Sequence, residues 1–126
     1  MSLVLDAGAL VAIERADRET IALIKQELRA GRAPRTHGGV IGQVWRGGSG
    51  RQANLARLLP ALEISGLDDS LGRRAGVLLG RARMTDVIDA ALVLLAADGD
   101  FVLTSDADDL VPLAASAGLH VDIVPV

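Results

Sequence analysis

A chain of 126 residues, half of them apolar, has material for one hydrophobic core and a single domain spanning 1–126. It has no cysteine, which excludes disulfides and thiolate metal sites, so a metal would have to be held by carboxylates, carbonyls or the two histidines. A net charge of −3 argues against a generic electrostatic binder of DNA, though not against an acidic cluster neutralised by a cation.

Leu3–Leu5 reads as a short, fully apolar strand that stops at Asp6. No basic leader or long apolar segment precedes it, and the apolar stretch Ala90–Ala97 is too short to cross a bilayer. The expectation is a cytoplasmic protein with no membrane partner. Leu10, Ile13 and Ala16 fit one face of a first helix. Asp17 is placed to cap a second, with Ile21, Ile24 and Leu28 inward and Gly31 as its stop. Ala33–Thr36 reads as a short strand, and Gly38–Trp45 as a short helix with Val40, Ile41 and Val44 inward. Gly47-Gly48-Ser49-Gly50 reads as a flexible break.

Gln52–Leu59 is helical, and Leu62–Ile64 is a strand. Asp68 or Asp69 caps a helix with the stripe Leu71, Ala75, Leu78, Leu79 and Ala82. On the same helix Gly72, Gly76 and Gly80 recur every fourth residue, a smooth stripe suited to close approach by another helix of this chain or of a twin subunit. Thr85 or Asp86 starts a helix to Ala97 that is apolar nearly all round and therefore buried. Phe101–Leu103 is a strand, Thr104–Asp106 a turn, Leu110–Ala117 a helix closed by Gly118, and Val121–Val124 the last strand. Strands alternating with helices predict a parallel sheet of about five strands between helical layers.

In such a sheet, ligands bind beyond the carboxyl ends of the strands. Asp6 ends the first strand, Asp106 follows the Phe101–Leu103 strand, and Asp86 and Asp89 share one face near a helix start. Asp109 lies beside Asp106. Three separate segments thus bring carboxylates towards one sheet edge. Clustered carboxylates raise one another's pKa and persist when a cation compensates them. An all-oxygen set favours Mg²⁺ or Mn²⁺, which can activate water and stabilise charge on a phosphodiester. Each acid also has a plainer reading as a helix cap: Asp6 for the first helix, Asp86 with Asp89, and Asp106 with Asp109. Asp89 fits that reading least, since a lone charge on a greasy helix is costly.

The order Leu3-Val4-Leu5-Asp6-Ala7-Gly8-Ala9-Leu10, Asp89-Ala90 leading an Ala/Leu-rich helix, and Val102-Leu103-Thr104-Ser105-Asp106 with Asp109-Leu110 resembles the PIN domain, with the VapC-type toxins as the nearest branch. The resemblance covers the whole chain and rests on order and spacing. It implies a three-layer α/β/α sandwich with a central parallel sheet. It further implies an Mg²⁺- or Mn²⁺-dependent endoribonuclease, commonly homodimeric, acting as the toxin of a type II toxin–antitoxin pair. Such toxins cut structured RNA such as tRNA or rRNA, leaving 5′-phosphate and 3′-hydroxyl ends, and are held inactive by a cognate antitoxin protein. By position, Asp6, Asp89 and Asp106 match family acids and would be catalytic and metal-binding, with Asp86 and Asp109 as further metal ligands.

The family's remaining acid, usually Glu, falls on Gln43 within Val40-Ile41-Gly42-Gln43-Val44-Trp45-Arg46. A glutamine keeps a ligand oxygen and loses the charge. Arg46 is a candidate phosphate contact, and Thr104 and Ser105 could hold a water or phosphate, although hydroxyls also simply form turns. Trp45 reads as a packing residue, and His37 and His120 do not read as ligands. The rival reading is a degenerate PIN-like domain that binds RNA or a protein without cutting. A receiver-like signalling domain ranks lower, because it needs a lysine late in the chain and the only lysine is Lys25.

Overall fold

The computed structural model describes residues 2–126. Its elements are β1 (Leu3–Leu5), α1 (Ala7–Glu14), α2 (Arg18–Arg29), β2 (Arg35–His37), α3 (Gly38–Val44), α4 (Ala53–Leu58), β3 (Glu63–Ser65), α5 (Asp69–Ala82), α6 (Val87–Val93), β4 (Phe101–Thr104), α7 (Ala107–Ser116) and β5 (Asp122–Pro125). The strands form one five-stranded sheet in the order β3-β2-β1-β4-β5, every neighbouring pair parallel. Helices cover both faces, giving the three-layer α/β/α arrangement that the alternating pattern implied.

The core explains why such short strands suffice. Val4, Leu5, Val102 and Leu103 are fully buried, as sheet centres covered on both faces require. Leu10 and Ile13 of α1, Ile24 of α2, Ala90–Val93 of α6 and Leu110 and Leu113 of α7 close over them. The charged ends are tied down too. Asp100 is buried and accepts from the backbone N–H groups of Ser2 and Ala97, both at 2.9 Å. Glu27 is buried and paired with Arg32, Nε to Oε2 at 2.6 Å. The hydrogen bond from Arg32, more than the charge itself, holds the Glu27 carboxyl below its ordinary range.

Three expectations are corrected. The helix after Asp86 ends at Val93, not Ala97, because Leu95 and Ala96 donate to Leu92 and Val93 in tighter turns. The last helix starts at Ala107, not Leu110, because its polar first turn carries no apolar period. The Gly72, Gly76 and Gly80 stripe meets no other helix of this chain: a side chain at any of the three would find open space. Leu71, Ala75 and Leu78 take the inward face, so the glycines lie outside it.

The sheet order positions the site. From β1 the chain first builds outward through β2 and β3, then returns to add β4 and β5 on the other side. The winding therefore reverses between β1 and β4. A crevice opens at the carboxyl ends of such a pair because the connections leave in opposite directions. Leu5 pairs with Leu103, so Asp6 and Thr104 emerge side by side at that crevice.

Candidate metal centre

Asp6 is the N-cap of α1, and its Oδ1 accepts from the Ala9 N–H at 3.0 Å. Its other oxygen accepts from the Thr104 hydroxyl. Thr104 is fully buried, and its oxygen in turn accepts the Asp106 N–H at 2.7 Å. One hydroxyl therefore links the end of β1 to the turn after β4. At the same place Gly8 lies so close to Ser105 that any side chain on residue 8 would collide with it. The glycine is there for close approach, with no special backbone angle involved.

Of the three acids expected to converge, Asp89 and Asp106 fall in one cluster, with Asp109 as its third member, and Asp6 lies outside it. One carboxylate oxygen from each of Asp89, Asp106 and Asp109 lies within 4.8 Å of the other two. Asp6, its oxygens engaged, stands close enough that its charge raises the pKa of both Asp89 and Asp106. The Asp89 carboxyl is pushed up to about 6, first by burial and then by the charges of Asp86, Asp106, Asp109 and Asp6. Asp106 is raised too, chiefly by its hydrogen bond with Asp109, then by burial and the Asp109 charge.

The helix-cap readings divide. Asp6 caps α1, and Asp86 caps α6 by accepting from the Asp89 N–H at 3.1 Å. Asp106 sits at the N-cap position of α7 but makes no side-chain capping bond, so its carboxylate is free for the cluster. The capping expectation for the Asp106 and Asp109 pair is thereby corrected.

Gln43 is exposed on α3. It lines a groove of about 560 Å³ together with Ala7, Gly8, Val11, Ser105 and Val126. Arg46 folds back on α3, its Nη1 donating to the carbonyls of Gly42 at 3.2 Å and Trp45 at 2.7 Å. Two residues were not singled out as part of the site by their sequence context. His37, fully buried, accepts from the Gly39 N–H through Nδ1 at 3.1 Å and lies 2.9 Å from the Ile88 carbonyl through Nε2. With Nδ1 accepting, Nε2 carries the proton, so His37 ties the start of α3 to α6, one residue before Asp89. Gln52 organises the loop after α3. No local pattern marks either contact, since both partners lie far along the chain or in the backbone.

Chemically, the cluster offers only hard oxygen donors, crowded enough to raise the Asp89 and Asp106 carboxyls above the ordinary range. That donor set fits an Mg²⁺- or Mn²⁺-like ion and does not suit a soft one.

No family model matches the sequence, and no curated protein matches it. Among solved structures, the fold is similar to a chain in the crystal structure of VapBC2 from Rickettsia felis bound to a DNA fragment from their promoter. The TM-score is 0.69, and the match covers 98% of this chain and 98% of that chain at 13% sequence identity. A likeness at that identity is one of fold.

Proposed function

We propose that this protein is a metal-dependent endoribonuclease of the PIN type, the toxin of a VapBC-like pair. The observation that carries the proposal is the Asp89, Asp106 and Asp109 cluster, with Asp6 behind it, at the β1–β4 reversal. The fold shared with a VapBC2 chain supports the same reading and suggests an antitoxin-like protein partner.

Asp89, Asp106 and Asp109 would hold the cation. A divalent ion, when bound, makes water a better nucleophile and offsets charge building on a phosphodiester. The chain's own groups do the rest. Thr104 donates a hydrogen bond to Asp6 and accepts one from the Asp106 N–H, which fixes the turn leading into the two carboxylates of α7. Asp86 orients the first turn of α6 and so Asp89. Ser105 and Gln43 line one groove and would orient the strand in the proposed reaction. RNA as substrate, and cleavage as the outcome of binding, belong to this proposal.

The test is cleavage of total RNA with Mn²⁺ or Mg²⁺ against EDTA. Metal should support cutting and EDTA should stop it. Asp106→Asn should lower the rate by about a hundredfold, the scale on which changes around metal sites act. Gln43→Glu should retain or raise activity by adding a carboxylate on the wall of the groove that reaches Ser105. A protein inert with every metal that still binds RNA or a partner would instead be a binding module.

A further inference from the structure

The groove beside the acids continues past Gln43. Val11, Gln43 and Val44 line it and also line a second, mostly polar hollow of about 310 Å³, completed by Glu14, Arg46, Ser49, Arg51 and Gln52. The two hollows thus share the wall of Val11, Gln43 and Val44, and together reach from Ser105, the chain neighbour of Asp106, to Arg46 and Arg51. The loop that carries them is no loose break, despite its glycines. Gln52 is buried and makes four hydrogen bonds. Its Oε1 accepts from the N–H groups of Arg46 at 2.8 Å and Gly48 at 3.2 Å, while Nε2 donates to the Val44 carbonyl at 2.9 Å and to Glu14 at 2.7 Å. Gly48 has φ of 76°, with the Trp45 ring packed against it where a side chain would sit. Arg46 is spent in part on the α3 carbonyls, whereas Arg51 is exposed and forms no hydrogen bond or ion pair among the described residues.

We propose that the Trp45–Gln52 loop is a preorganised cradle for one backbone phosphate of a single-stranded RNA that also reaches the acidic centre. Arg51 is the gripping cation, and Gln52 is the positioning residue that holds the loop in its binding shape. A guanidinium would accept a carboxylate as readily as a phosphate. The reach of the hollows to Ser105, next in the chain to Asp106 of the acidic cluster, favours the phosphodiester, because an ion there and Arg51 would then neutralise two points on one chain. A prefolded loop gains affinity because its ordering cost is met on folding. The inference rests on the RNA reading above and assigns it a second contact point.

The test is fluorescence anisotropy of a fluorescein-labelled single-stranded oligoribonucleotide across a KCl series. It uses the full chain with Ca²⁺ in place of Mg²⁺ or Mn²⁺, so that the acids stay compensated, and each strand is checked to be intact on a denaturing gel. Arg51→Ala should weaken binding about tenfold, as loss of one charged hydrogen-bonding contact does. It should also flatten the log–log salt slope by ~0.7, the value for one phosphate contact on a single strand. Gln52→Ala should reproduce both changes with the circular dichroism spectrum unaltered. Arg74→Ala, on α5 and lining neither hollow, should change neither. An unchanged slope for Arg51→Ala, an equal change for Arg74→Ala, or no RNA binding by the wild-type chain overturns the cradle. Metal-supported cleavage that ignores Arg51 removes this inference alone. Arg51-dependent binding without any cleavage removes the nuclease reading alone.

Discussion

Asp89 carries the strongest tension in the molecule. Its carboxyl is half-buried among four other acids, and its pKa of about 6 stands well above the ordinary 3.8. A group raised in this way favours the folded state below its ordinary value, and that contribution is lost as pH rises through about 6. In EDTA the protein should therefore melt at a lower temperature at pH 7 than at pH 4, as far as this group is concerned. Asp89→Asn removes the liability. It should stabilise the metal-free protein at pH 7 by about 1 kcal/mol, a figure reduced for water around the exposed part of the carboxyl. At pH 4 it should change little. Thermal melts at the two pH values check this, and an Asn variant no more stable at neutral pH would show that the crowding is relieved some other way. The acids themselves were legible in the sequence because each ends a strand or opens a helix. That Asp109 joins the tight group ahead of Asp6 was not. Nothing in the order of residues says which carboxylate is consumed by a cap and a hydroxyl.

At the scale of elements, α3 and α6 come from separate parts of the chain, and His37 holds them to one another. His37→Leu would leave the Gly39 N–H without its acceptor in a partly buried setting. It should cost about 2 kcal/mol in denaturant unfolding, the range for a polar group stripped of its partner. It should also weaken Mn²⁺ binding by letting Asp89 shift. Unchanged stability would mean that water or the helix itself satisfies those groups. Sequence reading identified every strand and main helix because apolar period and caps coincide at Asp17, Asp68 and Asp86. It slipped by one residue at β3 and β5 and by two at the start of β2, where three or four residues of pairing leave the pattern too short to fix the bounds. It misjudged the loop after α3 for a different reason. Glycines there signal permissive backbone, and the buried Gln52 that uses this freedom looks like any surface glutamine.

For the molecule as a whole, reversal of winding at β1 and β4 puts the acidic edge where the two halves of the sheet part. An ion bridging that edge binds the folded chain and not the unfolded one. Mn²⁺ at about a hundredfold over its dissociation constant should add ~2.7 kcal/mol of stability at pH 7. Asp106→Asn should lose most of that gain. Differential scanning calorimetry with and without metal measures both, and a wild-type melting temperature indifferent to Mn²⁺ would argue that the edge is no ion seat. That overall layout was readable from alternating strands and helices. The exposed outer side of α5 was not, since a stripe of small residues looks the same whether or not a neighbour covers it.

The Thr104 bridge and the Gly8–Ser105 contact join the start of the polypeptide to its final quarter. Carboxylates drawn from residue 6 through residue 109 are assembled only once both ends of that span exist. A nascent or truncated product ending before Asp106 would carry Asp6 and Asp89 but no means of closing them into a set. If the chain acts as the proposed nuclease, late completion of its acidic cluster is a form of self-restraint during synthesis, written into the order of residues itself.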